Sequence, residues 1–298
     1  MYKIGAMSIA LTKLVDGDNP TTEQILQTAA EIGLDGVEFY ETEWGAGEGD
    51  LGAAASLRAV ADAVGVEIFA LGSATRLGYA DERKVEALAT LKRQIDVASA
   101  VGARSVTFPA IDSQPLPPGR DSSQGGLPFA NGLRPLVEQM RELADYAGER
   151  SVDIALLNHC YFVSTSWHQQ WAIRLTGASN AGACLDPGNY LYYEGEDPLA
   201  ATQRLAGSVA AVRLGDMQRR DEELVAADFA SSGRLRLCDA VIFGEGEVDH
   251  DACLRVLHNS GYDGFLSIKS VGQSAAGHAD AMRRSLENIR RLVASIPG

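Results

Sequence analysis

The chain has 298 residues, is 46% hydrophobic and carries a formal net charge of −14. That length buries a large core, the acidity argues against a broad basic face for nucleic acid, and no apolar run approaches membrane-spanning length. The four cysteines, Cys160, Cys184, Cys238 and Cys253, lack CxxC spacing, which implies reduced thiols and a cytoplasmic setting.

The apolar stretch Ile4 to Leu11 is followed at once by Lys13 and Asp16, so it reads as a first strand rather than a signal peptide. One phrase then recurs: an amphipathic helix, a glycine, and a short β-branched run. It appears around Gly33, Gly65, Gly102 and Gly261, where glycine suits the left-handed turn that ends a helix. Thr21 with Gln24, and Ser166 with Gln169, have capping-box spacing, and Asp197-Pro198 places a cap before a first-turn proline. Helical stripes run through Val85, Leu88, Leu91, Ile95 and Ala98, and through Met282, Leu286, Ile289 and Leu292. Strands are expected near 3–8, 34–39, 66–71, 104–108, 152–157, 183–186, 210–214 and 265–269. Helices and strands that alternate through such short turns imply a parallel sheet, and eight βα units make one (β/α)8 barrel domain over 1–298.

Three βα segments are long: about 40–50, 109–131 and 217–249. They are either lids over a site, or surface insertions and oligomer contacts.

The strand ends Ala155-Leu156-Leu157-Asn158-His159, Cys184-Leu185-Asp186-Pro187-Gly188-Asn189, Val212-Arg213-Leu214-Gly215-Asp216 and Phe265-Leu266-Ser267-Ile268-Lys269 carry a family likeness. So do Gly33-Leu34-Asp35-Gly36-Val37-Glu38 and Gly244-Glu245-Gly246-Glu247-Val248-Asp249. With these motifs the chain resembles the xylose-isomerase-like TIM barrels: sugar isomerases, epimerases, inosose dehydratases and type IV endonucleases. The resemblance implies Glu, Asp, His and Glu on one divalent metal. The matching positions here are Leu157, Asp186, Arg213 and Lys269. Arginine is always protonated and cannot bind a cation, so no metal and no other cofactor is expected.

The expectation is instead that one or both cations fill the vacated metal volume, pair with Asp186 and favour an anionic ligand. Lys269 suits charge stabilisation or, less simply, Schiff-base chemistry; a buried ion-pair network without catalysis is the bland alternative. His159 is the acid-base candidate, or else a substrate-binding or packing residue. A rebuilt metal site from His159, Asp186 and Asp216 is a further arrangement. Glu38, Asn158, Asn189, Asp216, Trp44 and Trp167 are candidate substrate contacts, with Tyr161 and Tyr190 as weaker aromatic markers. His250, His258 and His278 read as surface or packing residues.

The function expected is therefore a metal-independent isomerase, epimerase or lyase-like enzyme on a small polyhydroxylated or keto substrate. A non-catalytic pseudoenzyme or partner subunit, and a metal-dependent sugar isomerase, are the alternatives. The only partners expected are the small-molecule substrate and, by family analogy, a second copy in a homodimer.

Overall fold

The computed structural model describes residues 2–15, 17, 19–40, 50–111, 129–159, 162–232 and 236–296, with the side chain of residue 194 excepted. Its strands are β1 (Lys3–Met7), β2 (Gly36–Tyr40), β3 (Glu67–Gly72), β4 (Ser105–Pro109), β5 (Asp153–Leu157), β6 (Ala181–Leu185), β7 (Val209–Leu214), β8 (Asp216–Arg219), β9 (Cys238–Val241) and β10 (Phe265–Ile268). The helices are α1 (Ser8–Leu11), α2 (Thr22–Glu31), α3 (Leu51–Val64), α4 (Arg83–Val101), α5 (Phe129–Gly148) and α6 (Ser166–Thr176). They continue with α7 (Pro187–Glu194), α8 (Pro198–Leu205), α9 (Glu222–Ser232), α10 (His250–Asn259) and α11 (His278–Ser295).

The barrel closes in the order β1-β10-β7-β6-β5-β4-β3-β2, with every described pairing parallel. Gly33, Gly65, Gly102 and Gly261 all have positive φ, so each helix-to-strand turn uses the conformation that glycine makes accessible. Thr21 and Gln24 form the capping box of α2, and Asp197 caps α8 by accepting from the Ala200 N–H at 2.9 Å.

Three local expectations change. The cap of α6 is Thr165, which accepts from the His168 N–H at 3.2 Å. Ser166 instead binds Glu196, and the Gln169 amide reaches into the sheet to donate to the Leu156 carbonyl at 2.5 Å. A buried strand carbonyl is the stronger claim on that amide. Val85 is 65% exposed, so the buried stripe of α4 starts at Leu88. Segment 217–249 is not simply a loop, since it folds into the antiparallel β8–β9 ribbon and α9. Residues 41–49 and 112–128, within the other two long segments, lie outside the described residues.

The barrel's two ends are built differently. At the N-terminal end Phe69 and Phe265 stack at 4.1 Å between centroids. A Cβ on Gly5 would lie 2.3 Å from Phe69, and one on Gly36 would lie 2.7 Å from Phe265, so the absent side chains make room for this plug. Above the plug the interior turns polar.

Candidate active site

Inward alternation along the strands puts Glu38, Thr107, Arg213 and Ser267 in one buried layer. The Arg213 guanidinium donates to Glu38 Oε1 through Nε at 3.0 Å and through Nη2 at 2.5 Å, and Nη2 also reaches Thr107 Oγ1 at 2.6 Å. Ser267 Oγ donates to Glu38 Oε2 at 2.7 Å. Burial disfavours the arginine charge, yet the adjacent Glu38 carboxylate more than offsets it and holds the guanidinium above its ordinary range. Gly72 leaves the space: a Cβ there would meet Arg213 Nη2 and Tyr40 Cδ2, each at 2.9 Å. Arg213 is thus committed to Glu38, not to Asp186. The two side chains meet across the interior from strands that are not neighbours in the barrel.

Lys269 follows β10 and is the cation that reaches Asp186. Its Nζ donates to Asp186 Oδ2 and, at 2.7 Å, to Asn189 Oδ1. Asp186 is fully buried and caps α7 by accepting from the Asn189 N–H at 3.2 Å. The two asparagines brace this corner. Asn189 Nδ2 donates to the Asn158 carbonyl and Asn158 Nδ2 to the Asp186 carbonyl, each at 2.9 Å. Counted together, Glu38 and Asp186 set two buried carboxylates against two cations, the buried Arg213 and the half-buried Lys269.

Gly215 completes the corner. A Cβ on it would stand 2.7 Å from Ser270 Oγ and 3.6 Å from Lys269 Cε. Gly215 itself brings no side chain to this corner, and the neighbouring strand end supplies the lysine.

Above these residues a cavity of about 400 Å³ opens at the C-terminal mouth. Arg76, His159, Arg213 and Lys269 line it, with Leu157, Tyr40, Tyr192 and Tyr193 as apolar wall. No aspartate or glutamate is among the described lining residues. Glu38 and Asp186 lie behind the wall, so Arg213 and Lys269 face the space while the carboxylates that pair with them do not. His159 packs edge-on to Tyr193 at 5.6 Å. Burial pushes its pKa down to about 4, with Lys269, Arg213 and Arg76 adding repulsion. Cys184 is buried in the barrel and its thiol is pushed up to about 12 by that burial, which makes it unreactive.

Other expected contacts fall elsewhere. Asp216 turns away from the cavity and accepts from the backbone N–H groups of Gly244 at 2.9 Å, Gly246 at 3.0 Å and Val248 at 3.4 Å. His250 Nε2 lies 3.7 Å from it. Burial alone would raise its carboxyl pKa, but His250 and these N–H groups outweigh that and lower it. It therefore neither contacts the cavity nor braces Lys269; it clasps the glycine-rich segment before α10. Trp167 is 52% exposed and stacks beneath the Arg204 guanidinium at 4.1 Å, away from the cavity. Tyr190 is buried and donates to Gln169 Oε1. Trp44 and Tyr161 lie outside the described residues. His278 and His258 pack as expected, the first against the Ala10 carbonyl at 2.8 Å and the second edge-on to Tyr2.

Arg76, Tyr192, Tyr193 and Ser270 were missed in the sequence. Arg76 lies four residues past the end of β3, where a cation near a barrel strand end was itself the signal.

These residues do not fit the divalent ion that the resemblance implies. Leu157 is apolar, Arg213 and Lys269 have only donors, and an oxygen of Asp186 is occupied by Lys269. Among the described residues no three His, Cys, Asp or Glu side chains stand together as a possible metal site, and His159, Asp186 and Asp216 do not form one.

The model of the xylose isomerase-like TIM barrel matches residues 26–292. The chain belongs to that family. Inosose dehydratase of Clostridium perfringens (strain 13 / Type A) is 26% identical over 137 residues, 45% of this chain and 46% of that protein. The chain thus spans about half the length of the curated relatives it matches. Among solved structures, a zinc-binding IolI protein superposes with a TM-score of 0.76 at 15% identity, over 99% of each chain. The 3-keto-D-glucoside 4-epimerase of E. coli gives 0.73 at 16%, over 98% of this chain and 100% of its own. The xylose isomerase domain protein of Planctomyces limnophilus gives 0.72 at 19%, over 99% and 98%. At these identities the likeness is one of fold. Among the described residues no helix is long and apolar enough to cross a membrane.

Proposed function

We propose that the protein is a metal-independent isomerase, epimerase or lyase-like enzyme acting on a small, anionic, polyhydroxylated keto compound. The observation that carries this reading is the cavity wall: Arg76, Arg213 and Lys269 face the space, and the carboxylates that balance Arg213 and Lys269 lie behind it. A carbonyl oxygen placed on Lys269 Nζ would gain the electrostatic stabilisation that the family takes from a metal. His159 would remove the proton from the carbon beside that carbonyl, leaving an enolate beside Lys269. Return of a proton at the neighbouring position gives isomerisation, its return on the opposite face gives epimerisation, and loss of a β-hydroxyl as water gives dehydration.

The low proton affinity of His159 fits this scheme only with an anion bound. Negative charge beside Arg76 and Lys269 offsets the repulsion that depresses the histidine, so substrate binding itself prepares the base. Relatives named inosose dehydratase and 3-keto-D-glucoside 4-epimerase support a sugar-like substrate.

The test is exchange of carbon-bound protons in D2O, followed by NMR over a panel of keto sugars and sugar acids, with EDTA-treated protein. Exchange that survives EDTA and is lost in Lys269→Met and His159→Asn is the expected result. Exchange that appears only after Mn2+ or Co2+ is added would overturn the metal-free reading. Anion binding without exchange on any compound would favour the pseudoenzyme.

A further inference from the structure

A second cavity, of about 450 Å³, adjoins the first, and Ile9, Ala240, Lys269 and Ser270 line both. At that junction Ser270 Oγ is buried and has no hydrogen-bond partner among the described residues. Buried hydroxyls in folded proteins nearly always have a partner, so an orphan beside a cavity marks a place where a ligand atom belongs. The missing Cβ of Gly215 leaves room for both this hydroxyl and Lys269 Cε. The two groups thus flank one glycine, and a ligand oxygen held by Lys269 has the Ser270 hydroxyl close by. They differ in kind. Lys269 Nζ only donates, and Asn189 Oδ1 beside it already accepts from that ammonium at 2.7 Å. Glu38 and Asp186 lie behind the wall and are engaged by Arg213 and Lys269. Ser270 Oγ keeps one donor and two lone pairs, so it can accept from a ligand hydroxyl where the cations cannot.

We propose that Ser270 is a specificity-determining residue: with the substrate carbonyl on Lys269, Ser270 Oγ accepts from the hydroxyl on the neighbouring carbon and selects α-hydroxy ketones over their deoxy counterparts. The assignment rests on the reading of the first cavity given above, in which Lys269 holds the carbonyl of an anionic substrate. An α-hydroxy ketone carries its two oxygens on adjacent carbons, one a pure acceptor and the other a donor. Side by side they match an ammonium and a hydroxyl presented by consecutive residues. A deoxy compound puts a methylene against Ser270, which forfeits the hydrogen bond and leaves the buried hydroxyl unpaired. Isomerisation converts that same substrate hydroxyl into a carbonyl, so the residue that recognises it also fixes which pair of carbons can react.

The experiment measures Kd by calorimetry for 2-keto-D-gluconate and 2-keto-3-deoxy-D-gluconate, on the intact protein and on Ser270→Ala. The two probes share the carboxylate and the carbonyl and differ only in the hydroxyl beside that carbonyl. The intact protein should favour the hydroxylated probe about tenfold, in line with one hydrogen bond to an otherwise unpaired buried group. Ser270→Ala should bind the two equally. Without ligand it should melt no lower than the intact protein, because the deleted hydroxyl leaves no partner behind. Equal affinities in the intact protein, or a preference that survives in Ser270→Ala, overturns the role of the serine. A lowered Tm in the unliganded variant overturns it too, since the hydroxyl would then be bonded within the fold. If neither probe binds the intact protein, the anionic reading of the first cavity falls and the serine's role falls with it. A preference erased in Ser270→Ala while no compound undergoes proton exchange keeps the recognition and removes the reaction proposed above.

Discussion

Arg213 stands on β7 and Lys269 just past the end of the neighbouring β10, and each meets a buried carboxylate, yet they are not equivalent. Arg213 is 5% exposed at its side chain and its fork is divided between Glu38 and Thr107. Lys269 is 18% exposed, holds Asp186 and Asn189, and is the only one of the pair to reach both cavities. One cation is built into the barrel wall. The other is held at one end and presented at the other. A charge near a strand end therefore says little about role until its counter-charge is located.

The largest effect that separates the two is on stability. Glu38→Ala leaves a buried guanidinium without its partner and should cost about 3–5 kcal/mol in urea denaturation. Lys269→Met should cost less, about 1–3 kcal/mol, because Asp186 keeps the Asn189 N–H. The order reverses for ligand binding, where Lys269→Met should be the more damaging. Equal stability losses would dissolve the distinction.

Next come the glycines that shape each cation's surroundings. Gly72→Ala presses on Arg213 and should destabilise by about 1–3 kcal/mol through overpacking. Gly215→Ala presses on Ser270 Oγ and should instead act mainly on anion affinity. A variant of Gly72 that weakens binding without loss of stability would contradict this division.

The pH response is smaller. The His159 pKa is about 4 in the fold against an ordinary 6.5, so the unfolded chain binds its proton first as pH falls. The histidine has no effect on stability above about pH 6.5, and its contribution becomes unfavourable between there and about pH 4. NMR should show a neutral His159 ring at pH 5.5, and a bound anion should raise its midpoint. A free-protein midpoint near 6.5 would refute the burial argument. Least of all, Trp167→Ala should leave ligand affinity unchanged, since its ring serves Arg204.

The barrel was legible because its signals are local. Glycine-closed helices, caps and short β-branched runs lie within a few residues of one another, and the eight expected strands match the observed ones to within about two residues. The site was legible only where its partners follow the strand-end motif: Asp186, Asn189 and Lys269 could be placed together. The Glu38–Arg213 pair spans 175 positions and crosses the barrel interior, and no pattern along the chain records it. Asp216 misled for a related reason. It occupies a strand-end position, but three backbone N–H groups from the segment before α10 hold it outside the cavity.

The Glu38–Arg213 pair also limits how this barrel can change. Histidine at 213 alone would strand the buried Glu38 carboxylate, and glutamate at 269 alone would be set against Asp186. Either single substitution would therefore lower stability, because each leaves a buried charge without its partner. The pair therefore ties the residue that position 213 can carry to the buried carboxylate at position 38, although the two lie on strands that are not neighbours.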